Sequence, residues 1–212
     1  MTPRQIWHAC AGVALALLLP GALAAAEQGA RVAPAVASSS EPGFLPAGTN
    51  EWALGVAAAE PVSVAGSLNE RNSAFLMVQW GRVLFRPRGP SPVRGQLMMG
   101  VEVEPIHTIY QTETTYGVGF SPIFFRWQMK AIGRVAPYTE ILGGALYTSH
   151  RVPEGVSAFN YTAEAGVGVR VGLNEHRAML FSYRLHHISN GGLGPRSRSL
   201  NSNVISAGIA FR

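Results

Sequence analysis

From Asn50 onward, apolar residues recur at every second position. The clearest stretch runs from Phe159 to Gly172. Its odd positions are Phe159, Tyr161, Ala163, Ala165, Val167, Val169 and Val171, and its even ones are Asn160, Thr162, Glu164, Gly166, Gly168, Arg170 and Gly172. Gly95 to Pro105 repeats the pattern, with Leu97, Met99, Val101 and Val103 on one face and Gln96, Gly100, Glu102 and Glu104 on the other; Met98 interrupts it. Such alternation marks a strand whose two faces meet different surroundings. Eight segments read this way: 51–60, 73–86, 94–107, 114–128, 134–148, 157–172, 177–189 and 201–211. Turn-forming stretches separate them, among them 86–92, 151–155 and Gly191-Gly192.

Eight alternating strands close either as a soluble sandwich or barrel with apolar faces inward, or as a membrane barrel with apolar faces outward. Length favours the second, because the segments exceed the roughly 5–6 residues of soluble strands and reach the roughly 9–11 needed to cross a bilayer at a tilt. Composition agrees. Charged residues make up 14% of the 212 and apolar ones 47%, where a soluble domain carries about 25% charge. Beyond the first 25 residues no run approaches the roughly 20 apolar residues of a spanning helix. The polar faces carry Glu102, Glu104, Glu140 and Glu164 with Arg82, Arg170 and Arg184, unlike charges suited to pairing inside a narrow barrel whose lumen is filled by side chains. Trp52, Trp80, Tyr110, Tyr116, Tyr138, Tyr147 and Tyr183 suit interfacial girdles. The expected fold is an all-β, eight-stranded antiparallel transmembrane β-barrel over residues 49–212.

The N-terminus changes the picture in one respect. Arg4, an apolar core from Ala9 to Leu19, Pro20-Gly21 and small residues to Ala26 read as a secretory signal peptide over 1–26. Residues 27–48, rich in Ala, Ser, Pro and Gly, read as a flexible leader without fixed structure. The single cysteine, Cys10, lies in the signal peptide, so neither a disulfide framework nor a lipid anchor is expected. The +5 net charge is dispersed over an exported chain, which argues against nucleic acid as a partner. His107, His150 and His176 fall at segment ends or in loops and read as interfacial. His186 points away from His187, so no metal ligand set forms and no cofactor is expected.

Candidate chemistry concentrates at 183–193 and 200–203. Along the seventh segment Met179, Phe181, Tyr183 and Leu185 share the apolar side, so His187 and Ser189 continue the lipid-facing row. On the eighth, Asn201 and Asn203 begin the outward row, and a hairpin through 190–200 returns Asn201 to a place beside His187. Polar groups facing hydrocarbon are costly and point to function. With both termini periplasmic, the seventh strand ends at the outer surface. His187 would take the proton of Ser189 as its oxygen attacks an ester carbonyl, and Asn201 would orient the imidazole. Asn190 and backbone N–H groups of the loop, Gly192 among them, would face the developing oxyanion. The alternative is a strand end meeting the headgroup zone, where His, Ser and Asn are ordinary.

The run His187-Ile188-Ser189-Asn190-Gly191-Gly192 resembles the PagL family of outer-membrane lipid A 3-O-deacylases, also described as acyloxyacyl hydrolases. Ala136-Pro137-Tyr138-Thr139-Glu140, Gly143-Gly144 and 159–169 resemble the family's fifth and sixth strands. The resemblance covers roughly 50–212. It implies a Gram-negative outer-membrane barrel that removes the acyl chain ester-linked at the 3-position of lipid A. The family histidine and serine fall on His187 and Ser189, and its oxyanion asparagine on Asn190. It departs at Asn201, where the family carries a glutamate; an asparagine carbonyl can fix the imidazole tautomer but supplies no negative charge. The expected partners are lipopolysaccharide and the outer membrane, Arg196 and Arg198, with Arg151 and Arg184, suit the lipid A phosphates, and a homodimer is left open. The competing reading is a catalytically silent barrel with a structural or surface-interaction role.

Overall fold

The computed structural model describes residues 41–62, 71–193 and 198–212. Eight strands follow in chain order: β1 (Asn50–Pro61), β2 (Asn72–Val83), β3 (Gly95–Tyr110), β4 (Thr115–Met129), β5 (Val135–Thr148), β6 (Phe159–Gly172), β7 (Arg177–Ser189) and β8 (Ser199–Phe211). Each pairs antiparallel with its sequence neighbours, and β1 closes on β8, with Trp52 opposite Phe211 and Pro61 opposite Ser202. The result is the expected all-β barrel. Its outer rows are apolar: Trp52, Leu54 and Val56 on β1 are each about half exposed, and Tyr161, Val167, Leu185 and Ile205 continue that surface on β6 to β8.

The inner rows hold five buried carboxylates, Glu51, Glu102, Glu104, Glu140 and Glu164, and three buried guanidiniums, Arg126, Arg170 and Arg184. Arg184 donates to Glu140 at 2.8 Å and to Glu102 and Glu164 at 3.2 Å. Arg126 bonds Glu140 and Gln79 at 2.8 Å, and Arg170 bonds Glu51 at 2.8 Å. Gln79 also donates to Glu102. Pairing of this kind is what makes buried charge tolerable. Apolar clusters occupy the lumen above and below, Ile109, Leu146, Val152, Ile188 and Leu200 at one end and Leu45, Val83, Met98, Phe124 and Leu142 at the other. The lumen is thus a packed core.

Four expectations are corrected. Two bulges reverse the parity of their strands, at Pro105-Ile106 on β3 and Pro122-Ile123 on β4, each leaving two successive exposed residues; both carry the proline that a regular ladder excludes. The first turns His107 into the lumen, where it bonds Glu104 at 2.6 Å and stacks on Phe75, so it is not interfacial. The second turns Arg126 inward. Tyr138 is also internal, beneath the Arg126 guanidinium and against Gly168, where any Cβ would collide with the phenol ring. Arg82 instead lies on the outer row and bonds Asn50. Residues 41–48, assigned to the flexible leader, are ordered. Leu45 is buried in the core, Gly48 N–H donates to Val83 O, and Arg94 pairs with Glu41 at 2.9 Å. The signal-peptide region and residues 27–40 lie outside the described residues.

Candidate active site

The end of β7 is held by a continuous ladder on both sides. Ala163 and Asn201 stand opposite His187, and Tyr161 and Ser199 stand opposite Ser189. Since direct cross-strand neighbours face the same side of a sheet, these residues form one outward patch at the barrel rim. Inside, Arg184 and His186 of the same strand face the lumen, where His186 lies 6.3 Å from the His107 ring. His186 is therefore no partner to the outer site.

His187 Nδ1 lies 2.7 Å from Asn201 Oδ1. An amide oxygen can only accept, so Nδ1 carries the proton and the Nε2 lone pair is left as the basic one. That Nε2 is buried, and so is Ser189 at 6% exposure, although both stand on the outer row. Tyr161 stands opposite Ser189 across the ladder and meets the turn that follows β7. Gly191 and Gly192 have φ of +62° and +80°, and Leu193 N–H donates to Asn190 O at 3.2 Å, which is the pattern of a type I′ turn. A Cβ on Gly191 would approach the Tyr161 ring to 3.1 Å, so the glycine lets the turn lie flat against that ring. Ser189 Oγ makes no hydrogen bond among the described residues; the nucleophile–base bond of substrate-free sites is commonly loose and tightens in the complex.

Gly192 N–H donates to Asn190 Oδ1 at 3.1 Å. This bond engages the backbone donor expected to face the oxyanion and turns the Nδ2 edge of Asn190 the other way. Arg198 is exposed and precedes Ser199 at the rim, while Arg196 lies outside the described residues. Arg151 is exposed in the connection after β5, but Arg184 is sealed in the lumen and is no part of a basic cluster there. Sequence reasoning missed the contact of Tyr161 with the turn at Gly191 and the bond from Tyr183 Oη to Asn203 Oδ1 at 2.8 Å. Both lie in outward rows that alternation alone identifies, but only the strand register shows which of them touch.

A closed antiparallel barrel with an apolar exterior, a charged and filled lumen and a polar patch at one rim defines an outer-membrane β-barrel of Gram-negative bacteria. The family model described as "Lipid A 3-O-deacylase (PagL)" matches residues 89–210, β3 to β8 with the whole rim patch, and the chain belongs to that family. Among solved structures, the outer-membrane enzyme PagL superposes with a TM-score of 0.53 at 13% identity, covering 74% of this chain and 97% of that one. At that identity the likeness is one of fold. Neisserial surface protein A gives 0.49 at 15% identity, covering 76% and 96%, and OprG from Pseudomonas aeruginosa gives 0.47 at 11%, covering 81% and 98%. No curated protein sequence matches the chain.

Proposed function

We propose that this barrel is a serine esterase that hydrolyses the acyl chain at the 3-position of lipid A, with Ser189 as nucleophile, His187 as base and Asn201 as orienting residue. The observation that carries the reading is the His187 Nδ1–Asn201 Oδ1 bond of 2.7 Å on a wall otherwise built for hydrocarbon. It fixes the tautomer that a general base needs, two residues from a hydroxyl on the same face. Ser189 Oγ attacks the ester carbonyl as its proton passes to His187 Nε2. The tetrahedral oxyanion is met by Asn190 Nδ2. His187 then protonates the departing 3-hydroxyl of the sugar, and water, deprotonated by the same nitrogen, releases the fatty acid and regenerates Ser189.

In this reading residues 1–26 export the chain, the rim patch lies in the outer leaflet, and Arg198 with Arg196 holds the lipid A phosphates. The test is mass spectrometry of lipid A from a Gram-negative host lacking its own deacylase. Wild type removes one 3-linked acyl chain and Ser189→Ala removes none. Identical lipid A from the two refutes the enzyme reading and leaves a silent barrel.

A further inference from the structure

Charge is divided unevenly between the two ends of the barrel. The end where β1 begins and β8 finishes carries Arg82, Arg86, Arg88 and Arg94 around the β2–β3 connection and Lys130 and Arg134 in the β4–β5 connection. Arg177 at the start of β7 and Arg212 after β8 complete the ring. Outside the lumen and among the described residues, two carboxylates stand against these eight cations: Glu41, paired with Arg94 at 2.9 Å, and Glu175. The end that holds the rim patch is balanced among the described residues, with Arg71, Arg151 and Arg198 against Glu60, Glu113 and Glu154.

Strand register gives this basic collar a definite height. Trp52 has Trp80 and Phe211 as Cα partners, and Phe211 has Arg177, so three aromatic side chains and a guanidinium stand side by side on the outward rows of β2, β1, β8 and β7. Arg82, two residues beyond Trp80 on the same row, donates to Asn50 Oδ1 at 3.2 Å. On β4 the outward Trp127 donates from Nε1 to Val93 O at 3.1 Å. Its ring lies 6.4 Å from Phe85, and the Arg88 guanidinium lies over Phe85 at 4.9 Å. Aromatic girdles mark the headgroup zone of a bilayer, and a guanidinium in a lipid-facing row is inexpensive only at that depth. Leu84, Val93 and Ile132 are exposed in the same connections as the cations, which sets an apolar contact for the acyl boundary beside each charge.

We propose that this collar is a binding surface for anionic phospholipid, the headgroups of the leaflet opposite the rim patch. The connections 130–134 and 173–176 at this end are short, as periplasmic turns are, so the leaflet is the inner one, built of glycerophospholipids. Guanidiniums fork to phosphate oxygens, and every cation held near an anionic surface adds attraction. The cations recur around the circumference, from β2 and β3 through the β4–β5 connection to β7 and β8. Lipids surround a barrel on all sides in that way, whereas an acidic protein would dock on one face. The surface lies at the far end from Ser189 and His187 and owes nothing to the esterase reading.

The chain's own tryptophans report on the collar. Trp52, Trp80 and Trp127 all lie at this end, and the fourth, Trp7, falls in the segment read as a signal peptide. The full chain carrying Trp7→Phe is refolded into phosphatidylcholine vesicles that contain a minor fraction of brominated lipid, either phosphatidylglycerol or phosphatidylcholine. Quenching of tryptophan fluorescence then gives the relative affinity of the collar for the two. Phosphatidylglycerol is expected to be favoured by roughly five-fold in about 0.01 M salt and by less than about two-fold in about 1 M salt, where charges are screened within a few ångströms. Replacing the exposed Arg86, Arg88, Lys130 and Arg134 together by Gln is expected to remove most of the preference at low salt. Arg71→Gln with Arg151→Gln, at the other end, is expected to keep it. Equal quenching by the two lipids at low salt overturns the proposal and leaves the collar to an acidic protein of the periplasm. A preference that salt leaves unchanged, or that the fourfold variant retains in full, overturns it as well.

Discussion

Arg184→Met tests whether the lumen network holds the strand that carries the site. Arg184 is 1% exposed and donates to three carboxylates, Glu140 at 2.8 Å and Glu102 and Glu164 at 3.2 Å. Methionine keeps most of the aliphatic stem, so lost packing is a small part of the change. Glu140 retains Arg126 at 2.8 Å and Glu102 retains Gln79, but Glu164 Oε2 loses its guanidinium. Five buried carboxylates then face two guanidiniums, where the native lumen has three. Removing one member of a buried ion pair costs about 3–5 kcal/mol, and protonation of the abandoned carboxyl relieves part of that. A destabilisation of about 3 kcal/mol is expected in urea titrations of the barrel folded into vesicles, followed by tryptophan fluorescence. Arg184→Met with Glu164→Gln is expected to recover at least about 1 kcal/mol, since an amide leaves no stranded charge. A single variant within about 1 kcal/mol of wild type, or a double variant no more stable than the single, refutes the reasoning.

Two further outcomes probe the cover and the plug. Gly191→Ala forces a side chain to φ +62° and against the Tyr161 ring, a local strain of about 1–2 kcal/mol; deacylation is expected to fall several-fold while the urea midpoint stays near wild type, and an unchanged rate would remove the turn from the site. At the other end, the hydrogen bond from Arg94 holds the Glu41 carboxyl below the ordinary carboxylate range. A depressed carboxyl stabilises the fold above its unfolded value and loses that contribution as pH falls through the folded one, so amide exchange of the Phe44–Leu45 segment is expected to quicken below about pH 4, and not in Arg94→Ala, where it is already fast.

Much of the barrel was legible because a sheet with hydrocarbon on one side and a core on the other must alternate. That is why β6 and β7 read correctly residue by residue. Two lumen residues escape it for one cause. A bulge shifts parity by one, so every residue beyond Pro105-Ile106 and Pro122-Ile123 changes face, and His107 and Arg126 went unrecognised as lumen residues. Tyr138 differs for another reason: its row points inward as the alternation predicts, and Gly168 opposite leaves room inside for an aromatic whose place near a strand end suits a girdle. At the rim, sequence reached His187, Ser189 and Asn201 through the row they share. The contact of Gly191 with the Tyr161 ring, and the engagement of Gly192 N–H with Asn190, depend on turn geometry that no periodicity encodes.

The same alternation explains how one strand serves both environments. On β7, Arg184 and His186 enter the lumen while Tyr183, Leu185, His187 and Ser189 line the outer wall. Arg184 bonds residues from β3, β5 and β6, so the register of β7 is fixed from inside by charge and from outside by the His187–Asn201 and Tyr183–Asn203 bonds. A slip of one residue would turn Arg184 into the hydrocarbon and His187 into the lumen at once. The two sets of contacts therefore reject the same error, and the placing of Ser189 and His187 on the outer wall comes from a core they do not touch.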